Sequence, residues 1–287
     1  MLPTLVRESW VERSFPREPE PELVMDDPEQ VEAYVRAGRI DSDMAAAYLF
    51  HSARVTQLIQ GCEFVVDLAC GPATQLAQIA ALNPTIEFLG IDLSRSMLDS
   101  AQAHVTELGL TNVRFEQTDI THLADIRDAS ADAVISTMAL HHLPTLGLLE
   151  GCFREIRRIL KPGGKLYLAD FGRLKSLNSV LFFAYMNRRH QPHLFSLDYE
   201  RSLRAAFLPA DFVKLTRDLF GAGYQVLSTA LVPILVLIKS RQEQAICGTA
   251  AERLKAMRQA LPRRYRRELD DMRLLFWLGG LRGDPFP

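Results

Sequence analysis

The chain has 287 residues, 48% of them hydrophobic and 24% charged, with 33 Lys and Arg against 35 Asp and Glu for a net charge of −2. This composition excludes a disordered or fibrous chain and leaves no global electrostatic case for a nucleic-acid or membrane-surface protein. Its length suits one large α/β domain with attachments. Cys62, Cys70, Cys152 and Cys247 form no CxxC pair and no secretory signal is present, which argues for reduced thiols in a cytoplasmic protein. The longest apolar run, residues 230 to 238, is broken by Pro233 and falls far below the ~20 residues a membrane helix needs, so no membrane span is expected.

Residues 1 to 28 carry five prolines among many charges and read as an irregular arm. From Glu29 to Gln60 the pattern turns helical, with Ala45, Leu49, Ala53 and Leu58 on one face. We expect residues 1–60 to be an arm and lid helices. From Glu63 onward, β-branched and Leu-rich runs alternate with helical stretches, the mark of βαβ units and a mainly parallel sheet. Strands are expected at 64–68, 86–91, 113–117, 133–137 and 165–169. Helices are expected at 74–82, 96–108, near Leu123, and at 146–160, the last stopping at Lys161-Pro162-Gly163-Gly164 before a tight turn. Residues 170–208 are rich in aromatics and methionine. A helix at 210–220 then leads into strands at 224–231 and 234–240, whose short link requires antiparallel pairing. Beyond Gln242 comes a helical extension whose basic run, residues 263–267, reads as a solvated face.

The stretch from Val65 to Thr74 carries the most chemistry. A buried strand ends at Asp67, a turn passes through Gly71 and a helix begins near Thr74, so free N–H groups and a positive helix end point above the strand. Only one glycine of a G-x-G-x-x-G fingerprint is present, which weakens a nicotinamide oxidoreductase reading. Asp92 closes the second strand 21 positions past Gly71, at the height where an acid accepts ribose hydroxyls. Asp119 closes the third. Three acids thus share one rim, implying an adenosine-bearing cofactor.

These residues resemble the class I S-adenosylmethionine-dependent methyltransferases, in particular the small-molecule group similar to the ubiquinone/menaquinone C-methyltransferases. The resemblance runs from Phe64 to Arg241 through the Gly71 loop, Ile91-Asp92, Thr118-Asp119-Ile120, residues 136–143, residues 160–165 and Ala222-Gly223-Tyr224. It implies a Rossmann-like doubly wound α/β sheet of seven strands in the order 3-2-1-4-5-7-6 with strand 7 antiparallel, spanning residues 61–241, with an acceptor-site insert at 170–208. It further implies S-adenosyl-L-methionine as cofactor. Asp67 with the backbone of Ala69, Cys70 and Gly71 would hold the methionyl end. Asp92 would bind the ribose, Leu93 and Met97 would pack on adenine, Asp119 and Ile120 would meet its edge, and Ser136 would lie near the methionine moiety.

Several positions keep a second reading. Asp119 also suits a turn cap, Leu93 and Met97 also suit core packing, and Ser136 also suits a local backbone bond. Ala69 and Ala73 stand where the family carries glycine, so we expect negative φ there. His141 is our expected general base for an acceptor that arrives protonated, although His141 and His142 also suit a pocket-shaping role. No metal is expected, since His190 and His193 lack companion ligands. Phe182, Phe183, Tyr185 and Met186 suggest a small apolar or aromatic acceptor, with Arg188 and Arg189 free to meet an acidic group on it. Nucleic-acid modification is disfavoured because no Asn/Asp-Pro-Pro-Tyr/Phe sequence follows the fourth strand. A homodimer is left open, as is a non-catalytic binding module on the same fold.

Overall fold

The computed structural model describes Thr4, Glu8, Trp10 and residues 15–21, 44–189, 191–246 and 248–286. Phe64–Leu68 (β1), Glu87–Asp92 (β2), Val113–Gln117 (β3), Ala131–Thr137 (β4) and Leu160–Phe171 (β5) pair in parallel. Tyr224–Ser228 (β6) and Leu235–Ser240 (β7) complete a sheet of order β3-β2-β1-β4-β5-β7-β6, with β7 antiparallel to both neighbours. The expected order and the expected antiparallel strand are both present.

Period-two alternation builds both faces. Val65, Phe88, Ile135, Tyr167 and Leu237 join one core with Ala45–Leu58 (α1) and Thr74–Leu82 (α2). Val66, Leu89, Val134, Leu168 and Ile238 join the other with Leu146–Ile159 (α4) and Pro209–Phe220 (α7). Arg95–Glu107 (α3) starts at the N-cap Ser94, whose hydroxyl accepts from the Met97 N–H, and Thr145 caps α4 the same way. Leu177–Tyr185 (α5) and His193–Ala205 (α6) form the insert after β5. The extension, Gly248–Ala260 (α8) and Arg263–Leu278 (α9), shares the first core: Phe276 stacks on Phe50 of α1 at 5.2 Å. No helix among the described residues is long and apolar enough to cross a membrane.

Three local expectations are corrected. The stretch around Leu123 is a series of turns, because its backbone is held from outside: Glu155 of α4 accepts from the Leu123 N–H and Arg158 donates to the Leu123 carbonyl. α4 stops at Ile159, ahead of the glycines, and β5 starts at once with Leu160 already extended. Ala131 opposes Leu160 and Ala133 opposes Lys165, so residues 161–164 arch out as a long bulge, with Gly163 at φ 75°. β6 ends at Ser228, because Thr229 turns the chain by donating to the Val232 carbonyl and accepting from the Leu235 N–H. The N-terminal helical pattern appears from Ala45; residues 22–43 lie outside the described part.

Candidate active site

The carboxyl ends of β1, β2 and β4 open into a cleft of about 310 Å³, within the range of small-ligand sites. Its walls include Ala69, Gly71, Asp92, Leu93, Met97, Asp119 and Ile120, seven of the expected donor-site residues. Asp67 and Cys70 lie behind the loop, and Ser136 is buried beneath it with its hydroxyl donating to the Leu68 carbonyl at 2.8 Å. For Ser136, the local backbone bond is the contact the structure shows.

The loop keeps the glycine conformation without the glycines. Ala69, Gly71 and Ala73 have φ of 55°, 54° and 57°, so the expectation of negative φ at the alanines is overturned. A methyl group at such φ costs roughly 1–2 kcal/mol. Surrounding bonds hold it there. The Gly71 N–H donates to Asp92 Oδ2 at 2.8 Å, the Cys70 N–H to the Ile91 carbonyl at 2.8 Å and the Ala73 N–H to the Cys70 carbonyl at 3.1 Å. Asp92 Oδ1 also accepts from the Ser94 N–H at 2.9 Å, so this acid ties the loop to the start of α3. Sequence reasoning missed Gly90, which pairs with Asp67 across the sheet. A Cβ there would stand 2.8 Å from the Phe115 ring and 2.9 Å from Cys70 Sγ, so glycine makes room for the loop.

Electrostatics favour a cation in this floor. Burial pushes the Asp67 carboxyl well above the ordinary range, and the neighbouring Asp92 adds to it. Burial likewise raises Asp92 in spite of its N–H donors. Two strained acids beside a slot of Leu93, Met97 and Ile120 match a ligand with a positive end, a diol and a flat apolar base. S-adenosylmethionine has all three. Asp119 is exposed and accepts through Oδ1 from the N–H and hydroxyl of Thr121, so it does cap its turn while also lining the cleft.

The rest of the cleft is built by parts far apart in sequence. Glu20 and Pro21 of the N-terminal arm, Met138, His142 and Leu143 after β4, and Asp198 and Arg201 of α6 meet there. Arg17 fastens the arm: its guanidinium lies 3.9 Å over the Phe207 ring and donates to the carbonyls of His141, Leu143, Pro144 and Ala205. Glu20 Oε2 accepts from His142 Nδ1 at 2.6 Å, and Glu20 Oε1 from the Ser202 hydroxyl at 2.9 Å. Burial works against the Glu20 charge, yet the His142 bond and the two imidazoles pull its pKa down to about 2. Burial also works against charge on His142, and the Glu20 bond overrides it, leaving its pKa above the ordinary value.

His141, the expected base, is 2% exposed and stands behind the cleft wall, which its neighbour His142 lines. Its Nδ1 lies 2.6 Å from Asp170 Oδ1, its N–H donates to Asp170 Oδ2, and its ring packs against His142 at 4.2 Å. Among the described residues of the insert, only Asp198 and Arg201 line the cleft. Val180 and Ala184 on the inner face of α5 join a separate core with Phe171, Leu174 and Leu203, Phe183 and Tyr185 pack against it, and Arg188 and Arg189 are exposed away from the cleft. His190 lies outside the described residues.

A doubly wound sheet with a glycine loop and strand-end acids around one cleft defines a nucleoside-cofactor enzyme fold. Residues 62–195 match a family model described as a methyltransferase domain. Over 172 residues the chain is 30% identical to the ubiquinone biosynthesis O-methyltransferase of Paraburkholderia phymatum, covering 57% of this chain and 69% of that protein. Over 141 residues it is 30% identical to the arsenite methyltransferase of Aquipseudomonas alcaligenes, covering 46% of this chain and 39% of the relative, so it spans well under half of that protein. In fold it is similar to the plantazolicin methyltransferase solved in complex with SAH, with a TM-score of 0.57 at 14% identity over 74% of this chain and 90% of that one. The chain belongs to the S-adenosylmethionine-dependent methyltransferases.

Proposed function

We propose that this protein transfers a methyl group from S-adenosylmethionine to a small, partly apolar or aromatic acceptor at oxygen, nitrogen or carbon. The observation that carries the reading is the convergence of the Gly71 loop, Asp92, Met97 and Asp119 on one cleft that is also lined by His142, Asp198 and Arg201. Bound there, the donor supplies an already activated sulfonium methyl: the acceptor's electron pair forms the new bond as the S–C pair returns to sulfur. The loop and Asp67 would hold the methionyl end, Asp92 the ribose, and Leu93, Met97 and Ile120 the adenine. The chain's main work is alignment and exclusion of water. Leu143, Pro144 and Leu148 supply the apolar part of the acceptor wall, and His142, Asp198 and Arg201 the polar part.

An acceptor that arrives as a phenol, enol or alcohol must also lose a proton, and Glu20, His142 and Asp198, with His141 behind them, are the groups at that part of the wall. The unpaired Cys62, Cys70 and Cys152 support a reducing, cytoplasmic setting. Turnover of methyl-labelled donor against a panel of small phenols, enols, amines and acids tests the proposal. Label transfer to at least one acceptor supports it, and donor binding without any transfer across the panel goes against catalysis.

A further inference from the structure

The cluster behind the acceptor wall carries more than a base requires. With Nδ1–H donating to the Asp170 carboxylate, His141 presents the lone pair of Nε2, and that buried atom has no hydrogen-bond partner among the described residues. Glu20 Oε1 stands 3.9 Å away, so a lone pair faces a carboxylate. Such an arrangement is stabilised by a proton or a cation between them. Glu20, Asp170 and Asp198 bring three carboxylates to the two imidazoles. Arg17 is committed to backbone carbonyls, which leaves Arg201 as the other cation on this wall.

We propose that Glu20, His141 and His142 form a site for one divalent cation of the zinc or cobalt(II) class at the acceptor wall of the cleft. One ligand atom from each lies within 4.8 Å of the others, with His141 Nε2 3.9 Å from Glu20 Oε1 and His142 Nδ1 2.6 Å from Glu20 Oε2. Two imidazoles and a carboxylate are a zinc-type donor set that leaves further positions open. The outer contacts are already built: Asp170 fixes the His141 tautomer, and the Ser202 hydroxyl fixes Glu20. For bonds of ~2.1 Å the ligand atoms stand about 3.5 Å apart, so the 2.6 Å contact between Glu20 and His142 opens by about 1 Å and its proton leaves as the cation enters. Glu20 and His142 both line the cleft, so a cation held there would reach an acceptor oxygen and acidify it. That role rests on the methyl-transfer reading; the binding itself does not. His141 is then a ligand, and the work of a protein base passes to the cation.

The test is titration of EDTA-treated, dialysed protein with Co2+, followed by visible absorption and by metal analysis. One Co2+ per chain with ligand-field bands is expected. Glu20→Gln and His141→Ala should each weaken binding by about 100-fold or more, and Asp170→Asn by about 10–100-fold, with unchanged far-UV circular dichroism. Absence of the bands at tenfold excess cobalt overturns the proposal. So does a folded His141→Ala protein that holds cobalt as tightly as the parent, or, should the variants not fold, a parent cobalt spectrum unmoved by an acceptor seen to bind in the presence of the metal. Parallel calorimetry with S-adenosylhomocysteine separates the two readings: cobalt binding without it leaves the cation site standing and the donor site refuted, and the reverse refutes only the cation.

Discussion

Replacing Ala69 by glycine should stabilise this protein, which is the reverse of the usual effect of that change. At φ 55°, Ala69 occupies a backbone region that costs a residue with a Cβ roughly 1–2 kcal/mol and costs glycine almost nothing. The freer unfolded chain of the variant takes back about 0.4–1 kcal/mol. The net expectation is a gain of ~0.5–1 kcal/mol, or about 1–4 °C in Tm for a chain of this size. Ala73, at φ 57°, is the control: it is fully buried, and loss of its methyl forfeits a further ~0.8 kcal/mol, so Ala73→Gly should change stability little. Urea unfolding followed by circular dichroism and by tryptophan fluorescence reads both. An Ala69→Gly protein less stable than the parent would show that the loop does not hold alanine in strain, and the argument that neighbouring bonds impose the glycine conformation would fail.

Three further outcomes follow from the same site. Asp92→Ala removes the acceptor of the Gly71 and Ser94 N–H groups along with the ribose partner, and should weaken S-adenosylhomocysteine binding by about 100-fold or more at unchanged secondary structure; an unaltered calorimetric affinity would remove Asp92 from the donor site. Gly90→Ala drives a Cβ against Phe115 and Cys70 and should cost about 1–3 kcal/mol in urea unfolding, and a neutral result would contradict the close approach. Because burial and Asp92 raise the Asp67 carboxyl in the free protein, its contribution to stability is present at low pH and lost as pH rises through its folded value. A cationic donor reverses that preference, so donor affinity should rise with pH over the same window with release of protons, measured by calorimetry in two buffers of different ionisation enthalpy; a pH-independent affinity would separate Asp67 from the donor.

Much of the fold was legible because most strands of the parallel sheet are short apolar runs between helical stretches, and Asp67, Asp92 and Asp119 fall within two residues of the ends of β1, β2 and β3. What escaped the sequence was set by contacts between distant segments. Glu20 meets His142 across 122 residues, and Arg17 reaches Pro144 across 127, so no local spacing could place the arm on the cleft. The conformation of Ala69 and Ala73 follows from hydrogen bonds of Cys70 and Gly71 to β2 and of Ala73 to Cys70 within the loop, against their own propensity. The turns at Leu123 are imposed by Glu155 and Arg158 from another helix. The aromatic insert suits an acceptor wall by its residue types, whereas its inner face builds a core of its own and, among its described residues, only Asp198 and Arg201 line the cleft. His142, not His141, lines that cleft; adjacent residues on a short turn give no clue to which faces inward.

The central claim is that the Gly71 loop and its acids grip one methyl-donating nucleoside. Calorimetric titration of the whole chain with S-adenosylhomocysteine and, separately, with NADH tests it most directly. The account predicts one S-adenosylhomocysteine bound per chain and no heat from NADH. Saturable NADH binding, or none of S-adenosylhomocysteine, would contradict it.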